Sequence, residues 1–165
     1  MKNYLLLLFA FLLLVGCNQS QQNKNEDLAP PVDKTIIFIR LIDEIPENET
    51  NIYPYIQLYD NDGNIAQNNK DAIEKFTSPV HAGKKVKWKS SNKSIERIKI
   101  KKINFKQVNG SIDILDGQNI SGNNEEVERK VKTKLENGDK EHYSINIEID
   151  GKPYTIDPVL EFHKP

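Results

Sequence analysis

Apolar residues recur along this chain with a period of two. Residues 35–42 (TIIFIRLI) and 52–59 (IYPYIQLY) are rich in β-branched and aromatic side chains; Val86 and Trp88 alternate with Lys85, Lys87 and Lys89, and Ile98 and Ile100 with Lys99 and Lys101. Such alternation puts apolar side chains on one side of an extended strand and charged ones on the other, so it predicts strands with one buried and one wet face. Only residues 71–76 compete, as one or two turns of helix. The glycines agree with this reading. All seven beyond residue 16 sit in turn-like dipeptides: Asp62-Gly63, Ala82-Gly83, Asn109-Gly110, Asp116-Gly117, Ser121-Gly122, Asn137-Gly138 and Asp150-Gly151. Seven turns imply about eight strands, so the expected fold is all-β, an antiparallel β-sandwich over residues 34–165.

The C-terminal third fixes a register. If Asp150-Gly151 is a two-residue hairpin turn, Ile147 faces Tyr154 and Ile145 faces Ile156, which brings the apolar sides together; a slip by one residue breaks the match. A three-residue loop at 137–139 puts Val131 opposite Ile145 and Thr133 opposite Tyr143, giving a three-stranded meander over residues 127–162. Pro158 has no N–H to give to a ladder, so the last strand is expected at an edge or with a bulge there.

Residues 5–15 depart from this pattern. They form an unbroken apolar run that spans roughly 16 Å as a helix, against about 30 Å of bilayer hydrocarbon. With Lys2 before it, the run has the form of a processing signal rather than a membrane span. Leu14, Val15, Gly16 and Cys17 follow, and these four resemble the lipobox of bacterial lipoproteins, in which a branched apolar and a small residue precede the cysteine that becomes the mature N-terminus. The resemblance implies cleavage of residues 1–16, a lipid on the Cys17 sulfur and attachment to a membrane of the bacterial cell envelope. Asn18 after the cysteine, where Asp would retain the protein, implies the outer membrane. Two or more acyl chains hold a protein stably at about 0.8 kcal/mol per buried methylene. Residues 18–33 (NQSQQNKNEDLAPPVD) are polar and close on Pro30-Pro31, the composition of a disordered tether.

Composition narrows the chemistry. The 165 residues carry 23 Lys+Arg against 24 Asp+Glu, and loss of Lys2 with the leader leaves 22 against 24, a formal charge of −2. That balance, and the envelope compartment, speak against nucleic acid as partner. Cys17 is the single cysteine, so a lipidated mature chain has no thiol for catalysis or metal ligation. The segment Val80-His81-Ala82-Gly83-Lys84-Lys85-Val86-Lys87-Trp88 is similar to the turn and Val-x-Trp strand of cupredoxin-like sandwiches, which implies a cupredoxin-like or immunoglobulin-like fold. It does not imply copper. A blue-copper site needs a Cys thiolate with two His and usually a Met, and beyond Cys17 the chain has neither Cys nor Met. No cofactor is called for.

Three candidate sites remain. In the hairpin register His142, Asp157, Glu161 and His163 share the outward side of one sheet, a conceivable site for a divalent metal or a secreted hydrolase; against it, the meander sets Lys134 opposite His142. Asp60-Asn61-Asp62-Gly63-Asn64 has the residues of a calcium loop, but its glycine is fourth rather than sixth and position twelve is Asp71, so a hairpin turn is the better account. No nucleophile or phosphate-loop motif is present in the sequence. Charge, finally, is uneven: residues 84–106 hold ten basic side chains and one acid, residues 43–74 eight acids and one base. Lys85, Lys87, Lys89, Lys99 and Lys101 all alternate away from the core and form one basic face if their strands share a sheet. Such a face either keeps the sandwich soluble or binds an anionic polysaccharide or membrane surface. The expectation is a lipid-anchored envelope protein with a non-catalytic binding or interaction module, its partner an envelope protein or glycan.

Overall fold

A computed structural model of the chain describes residues 34–116 and 120–164; Cys17, the lipobox and residues 18–33 lie outside them. Eleven strands are present among the described residues: β1 (Lys34–Leu41), β2 (Ile56–Asp60), β3 (Ile65–Gln67), β4 (Thr77–His81), β5 (Lys85–Ser90), β6 (Ile98–Phe105), β7 (Ile120–Asn124), β8 (Glu126–Lys130), β9 (Lys140–Ile149), β10 (Lys152–Ile156) and β11 (Val159–His163). They form two sheets, one in the order β3-β2-β1-β5-β8 and one in the order β4-β11-β9-β6-β7, with β10 also on β9. The all-β sandwich is therefore as expected. Its sheets, however, are mixed: β1 runs parallel to β5 and β4 parallel to β11.

Alternation builds the core. Ile37 and Ile39 of β1, Val86 and Trp88 of β5, and Ile145, Ile147 and Ile149 of β9 are buried, while the residues between them are partly or fully exposed at most positions. Trp88 spans the sandwich: its Nε1–H donates to the Tyr143 hydroxyl at 3.0 Å, and the two rings meet edge to face at 5.6 Å. This bond joins β5 of one sheet to β9 of the other, and both side chains are wholly buried.

The Asp150-Gly151 hairpin has the expected register, Ile147 opposite Tyr154 and Ile145 opposite Ile156, with both turn residues at positive φ. At Pro158, where an edge position or a bulge was expected, the strand breaks instead: β10 stops at Ile156, and β11 resumes at Val159 inside the sheet, between β4 and β9. Helix α1 (Lys70–Glu74) is capped by Asn69, whose Oδ1 accepts from Ala72 N–H at 2.7 Å.

Four expectations are corrected. The meander loses its first strand: β8 pairs with β5 in the other sheet, and the free side of β9 is taken by β6. Glu126 and Glu128 then meet the lysines of β5, while Ile98, Ile100 and Ile103 of β6 extend the buried isoleucines of β9. Lys134 is consequently not placed opposite His142. Residues 52–59 are not one strand either, because Pro54 opens a 3-10 turn, Tyr53–Tyr55, before β2. Gly122 lies inside β7 rather than in a turn. A β-carbon there would sit 2.2 Å from the Ile100 carbonyl oxygen and 2.9 Å from a Val127 methyl, so close strand approach beside the β6 bulge demands glycine.

Two buried carboxylates organise loops. Asp60 accepts from the N–H groups of Asp62 and Asn64, from Asn64 Nδ2 and from Ser78 Oγ, which shapes the β2–β3 turn and leaves the calcium-like residues engaged within it. Glu141, 1% exposed, accepts from the N–H groups of Ile114 and Leu115 at 2.6 and 2.9 Å and so pins the loop that holds them to β9. Burial pushes its carboxyl up to about 7 against those bonds, with Asp113 adding to the rise and Lys132 opposing it.

Candidate binding face on the five-stranded sheet

The outward side of the β3-β2-β1-β5-β8 sheet carries exposed and half-buried cations beside half-buried rings, brought together by the strand register. Three cross-strand rows define it. Lys34, Lys85 and Lys130 lie side by side on β1, β5 and β8; Ile36, Lys87 and Glu128 form the next row. In the third, Ile65, Tyr59, Phe38, Lys89 and Glu126 cross all five strands. Phe38 and Tyr59 stack at 4.7 Å with their planes 6° apart; Lys89 Nζ stands 5.0 Å from the Phe38 centroid and the Arg40 guanidinium 5.8 Å from that of Tyr59. The aromatic pair thus lies between two cations, an arrangement favoured by the negative faces of the rings. Ile65, 63% exposed, ends the row at the sheet edge.

Two of the lysines are partly neutralised. Lys85 Nζ donates to Glu128 Oε1 at 2.6 Å and Lys87 Nζ to Glu126 Oε1 at 2.7 Å, with Glu128 Oε2 3.8 Å away. These bonds raise the Lys87 ammonium and lower the Glu128 carboxyl, whose largest single cause is Lys85. Lys34, Lys89 and Lys130 make no ion pair among the described residues, so the face keeps net positive charge.

The five lysines singled out from the sequence do not form one face. Lys85, Lys87 and Lys89 lie on β5, whereas Lys99 and Lys101 lie on β6 in the other sheet and share Glu148 at 3.4 and 3.3 Å. The acidic partners come from β8 and β9. The four residues of the conceived metal site also separate. His142 and Asp157 line an open depression of about 280 Å³ with Glu74, Lys106, Val108 and Tyr143, where Lys106 Nζ meets Asp157 Oδ2 at 3.0 Å. Glu161 instead bridges Lys140 at 3.1 Å and His163 Nε2 at 3.3 Å, and the carbonyl oxygen of His163 lies 3.0 Å from His81 Nδ1. Among the described residues, no three His, Asp or Glu side chains converge to hold a metal ion.

Phe38, Tyr59, Arg40, Lys34 and Lys130 were not among the residues the sequence singled out. Their signal was present in β1, where TIIFIRLI is apolar at nearly every position instead of alternate ones; a second apolar face was the sign of outward rings. Compared with protein-family models and with curated proteins, the chain matches none.

Proposed function

We propose that this is a lipid-anchored protein of the bacterial cell envelope, fastened at Cys17, whose β-sandwich is a non-catalytic binding module presenting the outer face of the five-stranded sheet. The observation that carries the binding half is the row from Ile65 to Lys89, where an exposed isoleucine, two half-buried stacked rings and a cation that a solvated face does not need lie side by side on the outward side of the sheet. The anchoring half rests on Leu14, Val15, Gly16 and Cys17 behind an apolar run too short to span a bilayer, and Asn18 favours the outer membrane. Kinship with cupredoxin-like or immunoglobulin-like sandwiches belongs to the same proposal, supported by the buried Val86 and Trp88 on β5. Metabolic labelling with palmitate tests the anchor: the wild-type chain takes up label and Cys17→Ala does not, whereas equal labelling overturns it.

A second reading, a secreted hydrolase, is favoured by one observation. His142 and Asp157 do border a common depression, and Asp157 Oδ1 is buried there without a hydrogen-bond partner. Stoichiometric Zn²⁺ or Ca²⁺ binding with a rise in melting temperature supports this reading, and no shift removes its metal-dependent form.

A further inference from the structure

We infer that the outer face of the five-stranded sheet docks on an anionic phospholipid surface of the membrane that holds its anchor, with the end that carries Lys34, Lys85 and Lys130 nearest to it. The inference rests on the anchoring reading for which membrane is met, and on the face alone for the chemistry.

The two sides of the sandwich differ in kind. On the face, Lys34, Arg40, Lys85, Lys87, Lys89 and Lys130 stand against Glu126 and Glu128. On the outward side of the other sheet most cations have an acid beside them: Lys99 and Lys101 share Glu148, Lys106 meets Asp157 and Lys140 meets Glu161, while Lys102 makes no ion pair among the described residues. The face also adds apolar bulk in Ile36, Phe38, Tyr59 and Ile65. Basic stems and rings together suit the boundary between headgroups and acyl chains, where the charge meets phosphate and the apolar body meets hydrocarbon.

Ring geometry decides between lipid and glycan. Sugars stack on an open aromatic face, but Phe38 and Tyr59 cover one another, and Lys89 and Arg40 lie against the pair. What the rings offer outward is their edges, flanked by cations. Neighbouring basic side chains extend the charge beyond the sheet, since Lys130 and Lys134 line an open depression of about 360 Å³ with Asp116 and with Lys132, itself paired to Asp113 at 2.8 Å.

Position along the chain agrees. The row Lys34, Lys85, Lys130 is at the end of β1 where the polypeptide arrives from Cys17, and residues 18–33, at ~3.5 Å each, reach no further than about 56 Å whatever their conformation. At the other end of β1, roughly 26 Å away at ~3.3 Å per residue, the chain enters a segment holding Asp43, Glu44, Glu47 and Glu49. An anionic surface attracts the first end and repels the second.

The test uses the chain from residue 17 with Cys17→Ser, so that binding does not depend on lipidation, and follows flotation with vesicles of phosphatidylglycerol and phosphatidylcholine or of phosphatidylcholine alone. Binding only to the anionic vesicles, and lost at high salt, is expected. Neutralising Lys34, Lys89 and Lys130 together to Gln weakens it at least ~tenfold, from roughly fivefold per cation near the surface. The matched triple variant at Lys99, Lys101 and Lys102 removes the same net charge from the other sheet and changes binding less than ~twofold. Equal binding to neutral vesicles, no binding to either, or equal loss in both triple variants overturns the inference. An acidic polysaccharide bound in place of vesicles overturns it too. None of these outcomes bears on palmitate labelling of Cys17, which judges the anchor separately.

Discussion

Glu141→Gln is the sharpest probe of how the sandwich closes. The carboxyl is buried, bonded to the N–H groups of Ile114 and Leu115, and faced by Asp113 and Lys132. With its folded-state value near 7 and an unfolded value of 4.5, the native state binds a proton that the unfolded chain has already released. Stability from this group is therefore complete below pH 4.5 and is lost as pH rises through 7. The difference of about 2.5 units, at about 1.36 kcal/mol each, amounts to about 3 kcal/mol. Glutamine keeps an acceptor for the loop and cannot ionise. Urea denaturation followed by fluorescence of Trp88, the single and fully buried tryptophan, gives stability at each pH. The wild-type curve should fall by about 3 kcal/mol relative to the variant between pH 4.5 and 8, or roughly 10 °C in melting temperature for a domain of this size. Glu128, Glu148 and Asp150, whose carboxyls are lowered, act with the opposite sign, below pH 4.5, and are common to both proteins. Parallel curves across this window would refute the assignment of Glu141 as a buried pin.

Trp88→Phe deletes the inter-sheet bond and leaves the Tyr143 hydroxyl buried without a partner, at a cost of about 2–4 kcal/mol including the lost indole volume; a loss under ~0.5 kcal/mol in urea titration contradicts the packing. Gly122→Ala forces a β-carbon onto the Ile100 carbonyl, a backbone atom that cannot yield, and should cost at least about 2 kcal/mol by the same assay. Arg97, which forks to Glu44 at 2.7 and 2.9 Å and to Asp150 at 2.6 Å, is about one-third exposed, so Arg97→Gln should cost no more than about 1 kcal/mol and nothing measurable at high salt.

What was legible in the chain was local. The Asp150-Gly151 turn fixes the β9–β10 register because two residues of positive φ leave one way to close, and Val86 and Trp88 declare their inward side by alternation. Lateral partners were not legible. Strands 126–130 and 140–149 are consecutive and the residues between them include the Asn137-Gly138 turn, which suggests pairing, yet period two is satisfied equally in either sheet. Glu126 and Glu128 beside Lys85 and Lys87 decide the matter, and those residues are some 40 positions apart in sequence. The same non-locality parted Lys99 and Lys101 from the β5 lysines. It also concealed the candidate face, since Phe38 and Tyr59 become a stacked pair only once β1 and β2 are laid side by side.

In the proposed arrangement Cys17 is blocked by lipid and the five-stranded sheet faces the membrane. Because Cys17 is the one cysteine, a thiol introduced elsewhere is unique if the anchor is in place. Environment-sensitive dye on Ile36→Cys and, separately, on Lys99→Cys, in membrane-derived protein returned to phosphatidylglycerol vesicles, reads both points at once. One dye per chain, with blue-shifted emission at position 36 and water-like emission at position 99, is the expected result; a second dye on Cys17, or the same emission at both positions, contradicts it.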